Sequence, residues 1–207
     1  MKNVFAIILV FMIFCSCGDS EKRKIVHTVK NGTENIEAVK DSTFVEIADL
    51  PIQIDSTDYL IHPIGEFRID DSGTKSSYKY SGNRSKNYSV SNYGGYRITG
   101  NISNVKFQHV DSDRLSVLTK NSVRINSISF LRKVFDNTKK QLLVYEVIDK
   151  DSNQDGKLDY NDINTLYISK IDGTEFRKLS DNNKELIDWK VNGTKNRLYF
   201  RTNEDSN

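Results

Sequence analysis

Thr165-Leu166-Tyr167-Ile168-Ser169-Lys170-Ile171-Asp172-Gly173-Thr174-Glu175-Phe176-Arg177-Lys178-Leu179-Ser180-Asp181-Asn182 repeats the pattern of Asn104-Val105-Lys106-Phe107-Gln108-His109-Val110-Asp111-Ser112-Asp113-Arg114-Leu115-Ser116-Val117-Leu118-Thr119-Lys120-Asn121, 61 residues further on. Both stretches read as strand, Asp-led tight turn, strand, then Leu-hydroxyl-x-Asn. Asp172-Gly173 suits a hairpin turn that needs positive φ, and Asp111-Ser112 predicts a related Asx turn. Each copy runs on into a further apolar segment, Ile125-Asn126-Ser127-Ile128-Ser129-Phe130 and Leu186-Ile187-Asp188-Trp189-Lys190-Val191. Short strands recurring at a fixed spacing, four to a unit, predict blade architecture.

Strict alternation at Phe44-Val45-Glu46-Ile47 and Ile52-Gln53-Ile54 marks half-buried strands, so the folded domain is expected to span 43–207. Residues 70–104 are rich in Ser, Tyr, Asn, Gly and Lys, with tyrosines at 78, 80, 88, 93 and 96. They read as exposed, irregular hairpins, the alternative being a stacking surface for sugars. The repeat resembles the blades of TolB-type, WD-repeat-like β-propellers, whose "strand, Asp-Gly turn, strand, Leu-Thr" signature is matched by Ile168 to Ser180; the resemblance covers about residues 104–207. A closed ring wants about four or more blades of about 40–50 residues, more than this domain supplies. The expected fold is therefore mainly β: two to three blade-like antiparallel units, forming an incomplete propeller or a small sandwich.

Between the two copies lies Asp151-Ser152-Asn153-Gln154-Asp155-Gly156-Lys157-Leu158-Asp159-Tyr160-Asn161-Asp162, which resembles the twelve-residue EF-hand calcium loop. Asp151, Asn153 and Asp155 offer side-chain oxygens at positions one, three and five, and Gly156 permits the bend at six. The Lys157 carbonyl is expected at seven, Asp159 acts directly or through water, and Asp162 closes the site. Leu158 is the expected apolar anchor. Calcium takes six to eight oxygens at flexible distances, which suits a tight loop carrying hard ligands at every second residue. Asp162 replaces the usual bidentate glutamate, which predicts weaker calcium binding and a narrower margin over magnesium. The flanks, Gln141 to Ile148 and Leu166 to Ile168, are β-like, so a loop joining two strands is expected rather than a helix-loop-helix switch. The plainer alternative is an Asp/Asn-rich surface turn. Against it, the carboxylates of Asp151, Asp155, Asp159 and Asp162, with Asp149 nearby, would repel one another without a cation.

The first residues carry an address. Met1-Lys2-Asn3 precedes Val4 to Phe14, a run without a charged or hydrogen-bonding side chain, and then Cys15-Ser16-Cys17. This is a basic n-region followed by an apolar stretch shorter than the roughly 20 residues of a membrane-spanning helix. Ser16-Cys17 resembles the cleavage box of bacterial lipoproteins, although Phe14 and Cys15 depart from the leucine-like and small residues usual there. The resemblance implies a signal peptide over 1–16, palmitate-type acylation of Cys17 and a lipid anchor in the envelope, expected at the outer membrane. Each buried methylene contributes about 0.8 kcal/mol, so several acyl chains give a stable hold. Residues 17–42 are polar and read as a flexible tether. Only Cys15 and Cys17 are present, which leaves no disulfide for the mature domain. Loss of Lys2 with the signal lowers the formal net charge from +2 to +1, which argues against a nucleic-acid partner. Asp-Ser-Thr stretches at Asp41 and Asp55 resemble short O-glycosylation sites.

Candidate catalysts do not assemble. His27 falls in the tether, His62 beside Pro63 in an expected turn, and His109 in a repeat strand, none with a ligand-spaced partner. There is no G-x-S-x-G, no phosphate-cradling glycine loop and no H-E-x-x-H. The expectation is a lipid-anchored, calcium-binding, non-enzymatic binding or scaffold module with a protein or glycan partner. Its alternatives are a carbohydrate-binding accessory or carbohydrate-active enzyme, and a structural envelope lipoprotein.

Overall fold

The computed structural model describes residues 44–68 and 90–204. The chain is mainly β, as expected, with several antiparallel sheets, none of them closed into a barrel among the described residues. Sheet A has the order β1 (Phe44–Ala48), β3 (Tyr59–Arg68), β6 (Asn104–His109), β7 (Leu115–Val117), with the short β2 (Ile52–Gln53) also on β3. Sheet B runs β11 (Arg177–Lys178), β10 (Thr165–Lys170), β9 (Leu142–Ile148), β8 (Arg124–Phe130), β5 (Arg97–Ile102), β4 (Val90–Tyr93). Sheet C is the hairpin of β12 (Lys184–Asn192) and β13 (Arg197–Glu204).

The two repeat copies become equivalent hairpins, β6–β7 closing sheet A and β10–β11 closing one edge of sheet B. Gly173 takes φ 80° in the second turn, where Asp172 Oδ1 accepts the Thr174 amide. The first turn differs from the expected Asx turn: the Ser112 hydroxyl, not the Asp111 carboxylate, accepts the Arg114 amide.

Sheet B is the central layer. Along β9, Leu143, Tyr145 and Val147 face sheet A, while Val144 packs with Leu166 and Leu186 on the opposite face. A strand covered on both faces reads as a nearly continuous apolar run, as Leu142 to Ile148 does. The neighbouring β8 breaks simple alternation, and a bulge between Ile125 and Ser127 restores it by turning Ile125, Ile128 and Phe130 all toward sheet A. From sheet A, Ile61, Val105 and Phe107 complete this core, each 0–1% exposed.

Three elements depart from expectation. His62 and Pro63 lie inside β3, not in a turn: Pro63 aims its carbonyl at the Asp49 amide, in the gap between β1 and β2. The carbonyl and nitrogen of one strand residue point to the same edge, so the missing N–H falls away from the β6 ladder. The irregular hairpins expected before residue 104 are, over 90–102, a regular pair on sheet B, turned by Gly94 and Gly95 and burying Ile98 and Ile102. A short helix, α1 (Arg132–Thr138), interrupts the β succession and places Val134 against the outer core. Ser103 ties the sheets together, since its amide and hydroxyl donate to the Ile64 carbonyl where the chain passes from sheet B back to sheet A.

The signal peptide, Cys17, the tether with His27, and Tyr78, Tyr80 and Tyr88 lie outside the described residues. Among the described residues, no helix is long and apolar enough to cross a membrane.

Candidate cation site

The acidic loop connects β9 to β10, and the pairing of Val147 with Thr165 fixes its two ends side by side. Gln154 and Gly156 take φ 60° and 80°, which winds the chain tightly at the expected bend. The Asp155 amide donates to Asp151 Oδ1 at 3.2 Å and to Asn153 Oδ1 at 3.0 Å, so the oxygens of positions one and three converge on one N–H. Gly156 donates to Asp151 Oδ2 at 2.8 Å, and Lys157 to Asp155 Oδ1 at 2.8 Å. Asp159 Oδ1 accepts the Asn161 amide at 2.9 Å. The short polar side chains thus fold the loop by capping amides two to five residues ahead.

Asp162 is the hub. Its side chain is fully buried; Oδ1 accepts from the Ser152 amide, the Ser152 hydroxyl and the Asn153 amide, and Oδ2 from the Asp159 amide. A carboxylate has about four acceptor sites. Asp162 therefore spends its acceptor capacity on the loop itself, while Asp151, Asn153 and Asp155 form a separate, more exposed group. Ile163, rather than the half-buried Leu158, is the deeply buried apolar residue at this end of the loop. The Arg124 guanidinium lies 3.9 Å from the centre of the Tyr160 ring and holds the loop against β8.

The donor chemistry suits a hard cation. An oxygen that accepts one amide retains a second lone pair, and oxygens are the ligands calcium and magnesium take. Among the described residues, no three His, Cys, Asp or Glu side chains gather into a metal cluster of their own. A cation here would draw on the Asn153 amide oxygen and the Lys157 carbonyl as well as on carboxylates.

Asp149 has a different role from the loop acids. Lys178 Nζ pairs with its Oδ2 at 2.5 Å, the Tyr167 hydroxyl donates to the same oxygen at 2.7 Å, and the Thr165 hydroxyl reaches Oδ1 at 3.4 Å. Burial, then the bond to Asp149, raises the Tyr167 hydroxyl far above the ordinary phenol range and keeps it a donor. Sequence reasoning grouped Asp149 with the loop and missed Tyr167 and Lys178 as its partners. Their positions in the second repeat copy are the only signal that could have indicated them.

His62 Nε2 lies 3.0 Å from Gln108 Oε1, and His109 Nδ1 accepts the Asp111 amide, so both imidazoles are structural partners within sheet A. Tyr93 stands exposed on β4, at the edge of sheet B opposite β11. The Thr57 hydroxyl is buried and donates to the Ile54 carbonyl, which makes it a poor acceptor for a glycan.

Comparison with family models, with curated proteins and with solved structures finds no match.

Proposed function

We propose that the chain is an exported lipoprotein, anchored through Cys17 at the bacterial envelope, whose β-layered domain acts as a calcium-stabilised binding or scaffold module. The observation that carries the calcium reading is the convergence of the Asp151 and Asn153 side-chain oxygens on the Asp155 amide, beside the left-handed Gly156. Asp151, Asn153, Asp155, the Lys157 carbonyl and Asp159 hold the ion, and Asp162 ties the loop closed behind them. One calcium is expected, with magnesium a closer competitor than in a loop closed by a bidentate glutamate. An ion bound only by the folded state raises stability by mass action, by about 2.7 kcal/mol at a free concentration 100 times Kd.

A thermal melt checks this: the midpoint should rise in millimolar calcium relative to chelator, and Asp151→Asn should remove most of the rise. Equal melting in both conditions rejects the calcium reading. The anchor is checked separately by labelling cells with a palmitate analogue, which should mark the wild-type protein and not Cys17→Ala.

A further inference from the structure

The β7 edge of sheet A, with the loop that follows it, faces the β10–β11 hairpin of sheet B across a cleft of about 720 Å³. We infer that this cleft is the ligand site of the module and that it takes a neutral oligosaccharide. The inference rests on the binding-module reading and is independent of the calcium loop.

Asp149 is paired with Lys178, and Glu175 with Lys170 at 2.5 Å, so these two wall carboxylates are already neutralised. The remaining charged groups of the wall, Asp172 and Arg177, are of opposite sign. A site of this balance has no field to concentrate a phosphate, a nucleotide or a polyamine. What it offers instead is both hydrogen-bonding polarities close together: Arg177 donates, Asp149 accepts, and the Asn121 amide does both. Hydroxyl groups, which also donate and accept, are the matching ligand chemistry.

The apolar part of the wall points the same way. Tyr167 and Phe176 are half-buried and stacked, with ring centres 4.7 Å apart and planes 20° from parallel, and Phe176 stands edge-on to the buried Tyr145 at 5.3 Å. These rings are held by the core, so little order has to be imposed when a ligand arrives. With Phe176 stacked on Tyr167 and Lys178 Nζ 5.7 Å from the Tyr167 ring centre, the pair offers the cleft an apolar rim against which the C–H side of a pyranose can pack, while the polar wall takes its hydroxyls. The Tyr167 hydroxyl is already committed to Asp149, which fixes that carboxylate in place. The volume lies within the range of small-ligand sites. An extended peptide is the weaker fit, because β7 offers three residues and β11 two, too little edge for a strand to add to.

The test uses the full mature protein on an array of neutral glucans, mannans, galactans and chitooligosaccharides, with acidic oligosaccharides and unrelated extended peptides alongside. The expected result is saturable binding to one neutral class. Arg177→Ala and Asn121→Ala, both exposed positions outside the core, should each weaken it about tenfold, the loss expected for removal of one strong hydrogen bond, without moving the melt. Binding of no neutral glycan, binding that survives both substitutions, or binding of peptides or acidic sugars alone would each overturn the assignment. A calcium-independent melt alongside glycan binding would reject the loop reading and leave this one standing.

Discussion

The A–B interface and the B–C interface flank the same sheet and use the same residue types, yet they differ in completeness. Among the described residues, fifteen buried hydrophobics form one cluster between A and B, and Ile61, Val105, Ile125, Leu143, Tyr145 and Val147 have no exposure at all. Among the same residues five are buried between B and C, and Trp189, Val191 and Leu198 are covered in part. A two-stranded hairpin cannot shield a six-stranded sheet, and a lone hairpin is itself marginal in water. One face of sheet B is thus a closed core and the other a docked flap. On the outer side of the flap Asp188 pairs with Arg201 across the strands, and the hairpin leaves Ile187, Tyr199 and Phe200 exposed.

The largest expected effect is Leu143→Ala, which leaves a cavity where no neighbour can collapse and should cost about 4 kcal/mol in a denaturant titration. Gly173→Ala comes next, at about 3 kcal/mol, because the new Cβ would lie 2.4 Å from a Phe107 ring carbon at a backbone φ of 80°. Leu186→Ala, in the flap, should cost about 2 kcal/mol, the low end for such truncations, since a two-stranded hairpin can shift to fill the space beside a buried side chain. If Leu186→Ala proved as costly as Leu143→Ala, the contrast between core and flap would collapse. Hydrogen exchange sharpens it further: amides of β13 should exchange by local opening well before those of β9. The smallest effect, about 1 kcal/mol, is expected for Glu146→Gln, which weakens the 2.9 Å bond from Trp189 Nε1 while keeping an acceptor.

Much of this arrangement was legible in the residues. The paired stretches 104–121 and 165–182 became equivalent hairpins because Asp-led turns between apolar strands have few other solutions. The run Gln141 to Ile148 was legible as β-like, whereas the burial of β9 on both faces depends on the sheets packed against it. The loop 151–162 was also legible as a compact coil, because Asx chemistry is local. What escaped depended on partners distant in sequence. Which sheet β4 and β5 would join is decided by the apolar face that β8 leaves open, and nothing near residue 98 encodes that. Pro63 suggested a turn, since its tolerance within β3 depends on a gap between two other strands. Asp162 looked like a closing ligand by position, while its burial against Ser152 and Asn153 follows from how the loop returns to β10.

Trp189 is the chain's single tryptophan, and it sits in the seam between sheets B and C with its indole N–H on Glu146. Its emission therefore acts as an optical seal on the flap. Lifting of sheet C should redden the fluorescence while the far-ultraviolet signal of the inner sheets stays constant. One unlabelled sample can thus distinguish opening at the margin from loss of the whole fold.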